Sequence, residues 1–184
     1  PVFIDCDDTF TMDPVKLREF CENECEFDGT VLIYKGKVVK ALVVVHVFGN
    51  MADMVSILAT AHKYNIKVVE DATEALGTKY TEGPLAEKYA GTIGDFGCYS
   101  FNGNKIITGS AGGMLLTDDK DAAEKVRKWS TQSRENAPWY QHEELGYNYR
   151  MSNVIAGVVR GQFPYLEEHI AQKKAIYERY KEGL

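Results

Sequence analysis

The run Ala41-Leu42-Val43-Val44-Val45-His46-Val47 constrains this chain more than any other segment, because it is a continuous apolar stretch closed by Gly49-Asn50. Such a run is typical of a strand covered on both faces, and strands of that kind belong to parallel sheets with helices packed above and below. The rest of the sequence supplies matching pieces. Ile66 to Val69, Phe96 to Phe101 and Gly113 to Thr117 read as further strands. Between and after them lie stripes at helical spacing: Met51, Met54, Val55, Leu58, Ala59 and His62 before Asn65, then Ala122, Val126 and Trp129 after Asp118. Strands that alternate with helices give an α/β class with a largely parallel central sheet flanked by helices.

The smaller elements fit around this frame. Val2-Phe3-Ile4-Asp5 reads as a short buried strand. Asp13-Pro14 opens a helix, with the aspartate as cap, the proline at the first helical position, and Leu17, Phe20, Cys21 and Cys25 as the inner stripe. Val31 to Tyr34 and Val38-Val39 flank a hairpin turn at Lys35-Gly36-Lys37, and Thr78-Lys79-Tyr80 reads as a small extra strand. Ser133 to Asn148 is a long polar and aromatic loop, a length often associated with function. Ser152 caps a helix carrying Val154, Ile155, Val158, Val159 and Phe163, and Pro164 should kink or break it before a final amphipathic segment. The chain enters its first element at once, without an initiator methionine, and ends at Gly183-Leu184 in a helix. A piece of a longer protein is expected.

The 184 residues are enough for one sizeable domain. A net charge of -6 and a pI of about 5.3 give no nucleic-acid footprint. Cys6, Cys21, Cys25 and Cys98 form neither a disulfide framework nor a Cys-x-x-Cys metal site, so no metal is expected and a reducing cytoplasm is. No signal peptide or long apolar span is present, and no membrane partner is expected.

The chemistry sits at strand ends. Ile66 to Val69 runs into Glu70-Asp71-Ala72-Thr73-Glu74; Ser100 is followed five residues later by Lys105, and then by Gly109 and Gly112-Gly113. An amine that condenses with an aldehyde, a carboxylate for a pyridinium nitrogen and a hydroxyl for a phosphate are what pyridoxal phosphate requires. Each residue also has a plainer reading. A lysine near glycines is usually a solvated loop residue, and Asp71 alone reads equally as a strand-end carboxylate or a helix cap. His46 is more often a packed, hydrogen-bonded histidine than a catalyst. Tyr147 and Tyr149 suit a subunit interface, where tyrosine is common. Trp139 and Tyr140 either line a substrate loop or anchor it.

Four segments together resemble the DegT/DnrJ/EryC1/StrS aminotransferases, sugar aminotransferases of the aspartate-aminotransferase fold (fold type I). They are Val45-His46-Val47-Phe48-Gly49, Val69 to Gly77 with its Glu-Asp-Ala core, Tyr99 to Lys105 with Gly112-Gly113-Met114, and Gly146-Tyr147-Asn148-Tyr149-Arg150-Met151. Asp-Ala-Thr-Glu and Ser-Phe-Asn-Gly-Asn-Lys look most like the LegC branch, which makes 4-amino sugars. The resemblance implies that Lys105 attaches the cofactor, Asp71 holds its ring nitrogen protonated and Ser100 binds its phosphate. It implies that Asn148 reaches the phosphate of a neighbouring subunit's cofactor, and that Arg150 lies toward the nucleotide-sugar substrate. Glu74 matches a position beside the cofactor's 3′-oxygen usually held by glutamine or histidine, so a carboxylate there is a departure, as is Ser110-Ala111 in a normally glycine-rich run. Residues 1–163 would form part of the cofactor-binding large domain, and 164–184 a helical segment leading toward a C-terminal small domain. The implied reaction moves an amino group from glutamate to a nucleotide-linked 4-keto-6-deoxy sugar, in a cytoplasmic homodimer. The family's earlier phosphate-binding turn and ring-stacking aromatic find no match in this sequence, so the 184 residues alone should have little activity.

A second reading comes from another reaction class. Asp5-Cys6-Asp7-Asp8-Thr9 matches the Asp-x-Asp-x-Thr opening of haloacid-dehalogenase-like phosphatases, with Asp5 as nucleophile and Asp7 as general acid. It leaves the block from Asp71 to Gly113 unexplained.

Overall fold

A computed structural model describes residues 1–184, which divide into two compact units, Pro1–Tyr99 and Ser100–Leu184. In the first unit, helix α1 (Pro14–Asn23) starts where the sequence dictates: the Asp13 carboxylate accepts from the Val15 and Lys16 amides, and Pro14 occupies the first turn. Leu17 and Cys21, one helical turn apart, go into the core. Strands β1 (Glu26–Phe27), β2 (Leu32–Tyr34) and β3 (Lys37–Val38) form a small antiparallel sheet. The β2–β3 turn puts both Lys35 and Gly36 at positive φ, the twist that a two-residue hairpin prefers.

Strands β4 (Ala41–Val45), β5 (Lys67–Asp71) and β6 (Phe96–Ser100) run parallel, with β5 in the middle. Helix α2 (Met54–Lys63) makes the crossover from β4 to β5, capped by Asp53 and ended by Asn65 in the left-handed region. Met54, Ile57 and Ala61 pack with Val44, Val68 and Leu32.

Four expectations change. The buried stripe of α2 is Met54, Ile57, Thr60 and Ala61, while Val55 is exposed, because the face turned to Val44 and Val68 runs through Met54, Ile57 and Ala61. β4 is covered on one face: Val44 is fully buried, but Val43 and Val45, which point the other way, are exposed. Val2 to Asp5 is no strand. Phe3 is 91% exposed, and only Cys6 makes a single bridge, to Met12. Local bonds win there: the Asp7 carboxylate takes the amide and hydroxyl of Thr9, and the chain turns back at once. Thr78 to Tyr80 reduces to one bridge between Lys79 and Tyr89.

The second unit holds β7 (Gly113–Leu116), α3 (Lys120–Ser130) and α4 (Asn153–Gln162), the helices capped by Asp119 and Ser152. Pro164 interrupts the helical course as a 3-10 turn at Phe163–Tyr165, and α5 (Leu166–Gly183) follows. The long loop is tied to α3. Glu144 accepts from Lys125 and the Trp129 indole, Glu144 and Glu135 pair with Lys128, and the Ser133 hydroxyl donates to the Leu145 carbonyl. No helix is long and apolar enough to cross a membrane.

Candidate functional site

Asp71 is the last residue of β5, at the carboxyl end where ligands of parallel sheets collect. Its carbonyl accepts from the His46 amide at 3.0 Å, and its carboxylate accepts from the Thr73 amide at 3.2 Å. The side chain is half-buried. Its partner across the ladder is Cys98, whose thiol is pushed up by burial and, in second place, by the Asp71 charge.

Glu74 follows three residues later and is exposed. Its Oε2 accepts from the Phe48 amide at 2.8 Å. Phe48 reaches that position only in the left-handed region, at φ 58 and ψ 17, within the 3-10 turn Val47–Gly49. Gly49 follows at φ 83, and a Cβ there would stand 3.3 Å from the Glu74 carbonyl. The His-x-x-Gly sequence is thus a turn that lies directly against the segment after β5.

Beneath Asp71 lies a group that the sequence left as a generic packed histidine. The side chains of His46 and Glu70 are both fully buried, 2.9 Å apart. Glu70 Oε2 also accepts from the Gly91 amide, and Oε1 from the Ile93 and Gly94 amides. Burial alone would raise the Glu70 carboxyl, but the bonds from His46, Gly94, Gly91 and Ile93 outweigh it and hold it below its ordinary value. The other ring nitrogen, Nδ1, lies 3.2 Å from the Ala52 amide, which must donate to it, so the ring proton is on Nε2 and points at Glu70. Periodicity marks Glu70 only as the polar residue in a buried strand.

In the second unit Ser100 ends β6 and its hydroxyl accepts from the Asn102 amide at 3.3 Å. The loop after it is closed at the neck by two bonds, Phe101 amide to Gly112 carbonyl and Gly109 amide to Phe101 carbonyl. Ile107 is fully buried and pins the loop, while Lys105 is half-buried on it. Helices α4 and α5 hold the far side. Gln162 donates to the Thr108 carbonyl and accepts its amide, and His169 Nδ1 lies 3.2 Å from the Ile106 carbonyl. Gly109 is where α4 comes close: a Cβ there would stand 2.7 Å from the Ile155 side chain. Ser110, in the place of a usual glycine, adopts φ 66, so the departure from the glycine-rich run keeps the glycine-like backbone. Gln162 and His169 lie far from any recognisable motif, and no sequence signal marked them.

Asn148 and Arg150 belong to a different loop. Asn148 bridges to Thr131, the Arg150 amide donates to the Ser130 carbonyl, and both side chains face solvent. Tyr147 and Tyr149 stack at 5.0 Å between centroids. The first unit therefore brings together Asp71 and Glu74, and the second places Ser100 at the end of β6 and Lys105 on the tied loop that follows it.

The phosphatase reading fails on position. Asp5 does not end a strand; it is exposed and paired with Lys16 at 2.8 Å. Asp7 is spent on the Thr9 turn.

The sequence profile of the DegT/DnrJ/EryC1/StrS aminotransferase family matches residues 1–184. A Bacillus subtilis protein, EpsN, described as a candidate pyridoxal phosphate-dependent aminotransferase, is 44% identical over 100% of this chain and 44% of its own length. A GDP-perosamine synthase from Escherichia coli O157:H7 is 33% identical over 100% of this chain and 46% of its own. Among solved structures, the aminotransferase TlmJ from Streptoalloteichus hindustanus superposes with a TM-score of 0.83 at 27% identity, covering 100% of this chain and 46% of that one. A DegT DnrJ EryC1 StrS aminotransferase from Brucella abortus gives 0.82 at 26%, covering 99% and 46%. The chain spans about half the length of the curated relatives it matches.

Proposed function

We infer, because this chain belongs to the DegT/DnrJ/EryC1/StrS aminotransferase family, that it carries the cofactor-anchoring part of a pyridoxal phosphate-dependent sugar aminotransferase. The observation that supports the reading is what each unit carries: in the first, a carboxylate that ends β5; in the second, a hydroxyl that ends β6 and an amine on the tied loop after it. That donor set matches the cofactor's ring nitrogen, phosphate and aldehyde. Residues 1–163 are assigned to the cofactor-binding large domain, and 164–184 to the helical lead into a small domain.

Bound pyridoxal phosphate would supply an aldehyde for amines and an electron-accepting ring for charge that develops at the amino donor's α-carbon. Asp71 would hold the proton on the ring nitrogen, because an opposite charge favours the protonated form. Ser100 would donate to the phosphate. Lys105 would attach the cofactor and, once displaced by the donor amine, take the proton from the donor's α-carbon. Glu74, with Oε2 engaged by Phe48, would turn Oε1 to the 3′-oxygen and share a proton with it, as a protonated carboxyl or a local acid or base. Asn148 and Arg150, exposed on their own loop, are assigned to a partner subunit's cofactor phosphate and to the nucleotide sugar, which makes the working unit a homodimer. Glutamate is the proposed donor and a nucleotide-linked 4-keto-6-deoxy sugar the acceptor, in a cytoplasmic enzyme of the LegC-like branch. Similarity to a protein named GDP-perosamine synthase supports a nucleotide-sugar acceptor.

Borohydride reduction of the cofactor-loaded native protein tests the assignment. Peptide mapping should find the fixed cofactor on Lys105. A label on Lys79 or Lys120 would overturn it.

A further inference from the structure

Asp71 cannot act on a ring nitrogen unless the end of β5 is held still, and the residues that hold it take no part in the proposed chemistry. His46 grips β5 twice. Its backbone amide donates to the Asp71 carbonyl at 3.0 Å, and its ring Nε2 donates to the Glu70 carboxylate at 2.9 Å. Glu70 in turn gathers the amides of Gly91, Ile93 and Gly94, the segment just before β6. Both side chains are fully buried and have no route to a ligand. A buried carboxylate that receives four donors is fixed in position and orientation. Its neighbour in the strand, Asp71, inherits that register.

We propose that His46 and Glu70 are a buried positioning pair that sets the placement of the Asp71 carboxylate from beneath the sheet end. This rests on the assignment of Asp71 to the cofactor's ring nitrogen. The pair is not interchangeable with an amide pair. Every group aimed at Glu70 is a donor, so Glu70→Gln turns one of its acceptors into a second donor facing a donor. His46 cannot compensate by reversing its tautomer, because Nδ1 is already needed as the acceptor for the Ala52 amide.

The two ring nitrogens allow the positioning role to be separated from mere packing. A glutamine amide nitrogen reaches about where Nε2 stands, so His46→Gln keeps the donor to Glu70. An asparagine oxygen reaches about where Nδ1 stands, so His46→Asn keeps the acceptor for Ala52 and loses Glu70. The experiment uses the full-length protein loaded with pyridoxal phosphate and reads the cofactor's dissociation constant and the visible circular dichroism of its absorption band. The variants are Glu70→Gln, His46→Asn, His46→Gln and Asp71→Asn, with each of the first two also combined with Asp71→Asn. Glu70→Gln and His46→Asn should weaken cofactor binding by about tenfold, within the range of coupling between contacting residues. Both should change the dichroic band, and His46→Gln should stay near the parent. In the Asp71→Asn background the same two changes should have little further effect, because the residue they position is gone.

Full additivity with Asp71→Asn, or a lowered melting temperature with an unchanged constant and band, would overturn the proposal and leave the function standing. No effect of Asp71→Asn itself on constant or band would instead sink the assignment of Asp71. If Glu70→Gln does not fold, the two His46 variants carry the same test.

Discussion

Gly97→Ala should be the most damaging single methyl that can be added to β6. Glycine is usually a weakness inside a strand, so alanine there would ordinarily help. Here a Cβ on Gly97 would stand 1.8 Å from the Gly91 carbonyl oxygen and 2.6 Å from its carbon. Real side chains essentially never come closer than 3.0 Å, so the Gly91 segment must retreat by at least about 1.2 Å. That segment is a loop, whereas β6 is held by β5, so the loop gives way. If the Gly91 peptide moves as a unit, its 2.9 Å bond to Glu70 stretches to about 4 Å, beyond hydrogen-bond range. Overpacking costs about 1–3 kcal/mol, and a lost hydrogen bond to a charged group about 1.5–3 kcal/mol. The two together come to about 2.5–6 kcal/mol, a large part of the stability of an ordinary domain. Urea unfolding of the native protein reads this directly. With a slope of about 1–3 kcal/mol per molar, the midpoint should fall by about 1 M or more. Gly157→Ala on α4 is the control: nothing lies within 4 Å of its Cβ position, so it should raise stability by about 0.5–1 kcal/mol. A Gly97→Ala protein within about 1 kcal/mol of the parent would refute the claim that the Gly91 loop can yield to a methyl only by giving up its bond to Glu70.

Three further outcomes are expected. Asp71→Asn should keep the fold yet lose roughly a hundredfold or more in transamination rate, with a larger isotope effect from deuterium at the donor's α-carbon; a normal rate and unchanged isotope effect would remove Asp71 from the chemistry. Lys125, then Trp129 and Lys128, hold the Glu144 carboxyl down at about 2. A lowered carboxylate stabilises above its unfolded value of 4.5 and loses that contribution as pH falls toward 2. In a Trp139→Phe background, Trp129 fluorescence should therefore be flat from pH 8 down to about 4 and change only as the pH approaches 2, and a transition near neutrality would contradict the anchor. Ile57→Ala, at a fully buried site between α2 and the sheet, should cost about 2–5 kcal/mol in the same urea assay, and a cost under 1 kcal/mol would mean that the α2 face is not the core.

Much was legible in the residues themselves because the signals are local. Asp13-Pro14, Ser152 and Pro164 act within one helical turn, and their caps and breaks fall where the sequence places them. The positions of β5, β6 and β7 follow from short apolar runs bounded by polar or glycine residues. Asp71, Ser100 and Lys105 stand out because a carboxylate and a hydroxyl at two strand ends, with an amine on the loop that follows, suit one cofactor. Val2 to Asp5 misled because an apolar run says nothing about whether a partner strand exists, and the Asp7–Thr9 turn took the chain elsewhere. The phase of α2 was missed because the buried face is set by what the helix packs against, and the Val44 and Val68 that meet Met54, Ile57 and Ala61 stand on the strands before and after it.

The sequence by itself determined the α/β class, the central strands and the helices that follow them, and the candidate chemical groups, since each rests on residues within a few positions of one another. Only the tertiary structure decided what holds those groups. His46 and Glu70 are 24 residues apart, and Thr108 and Gln162 are 54 apart, yet each pair is joined by hydrogen bonds. Periodicity reports which face of an element is apolar, but not which distant donor will satisfy a buried carboxylate. That is settled when the elements pack, because a polar group shut away from water must find its partner among whatever the fold brings near.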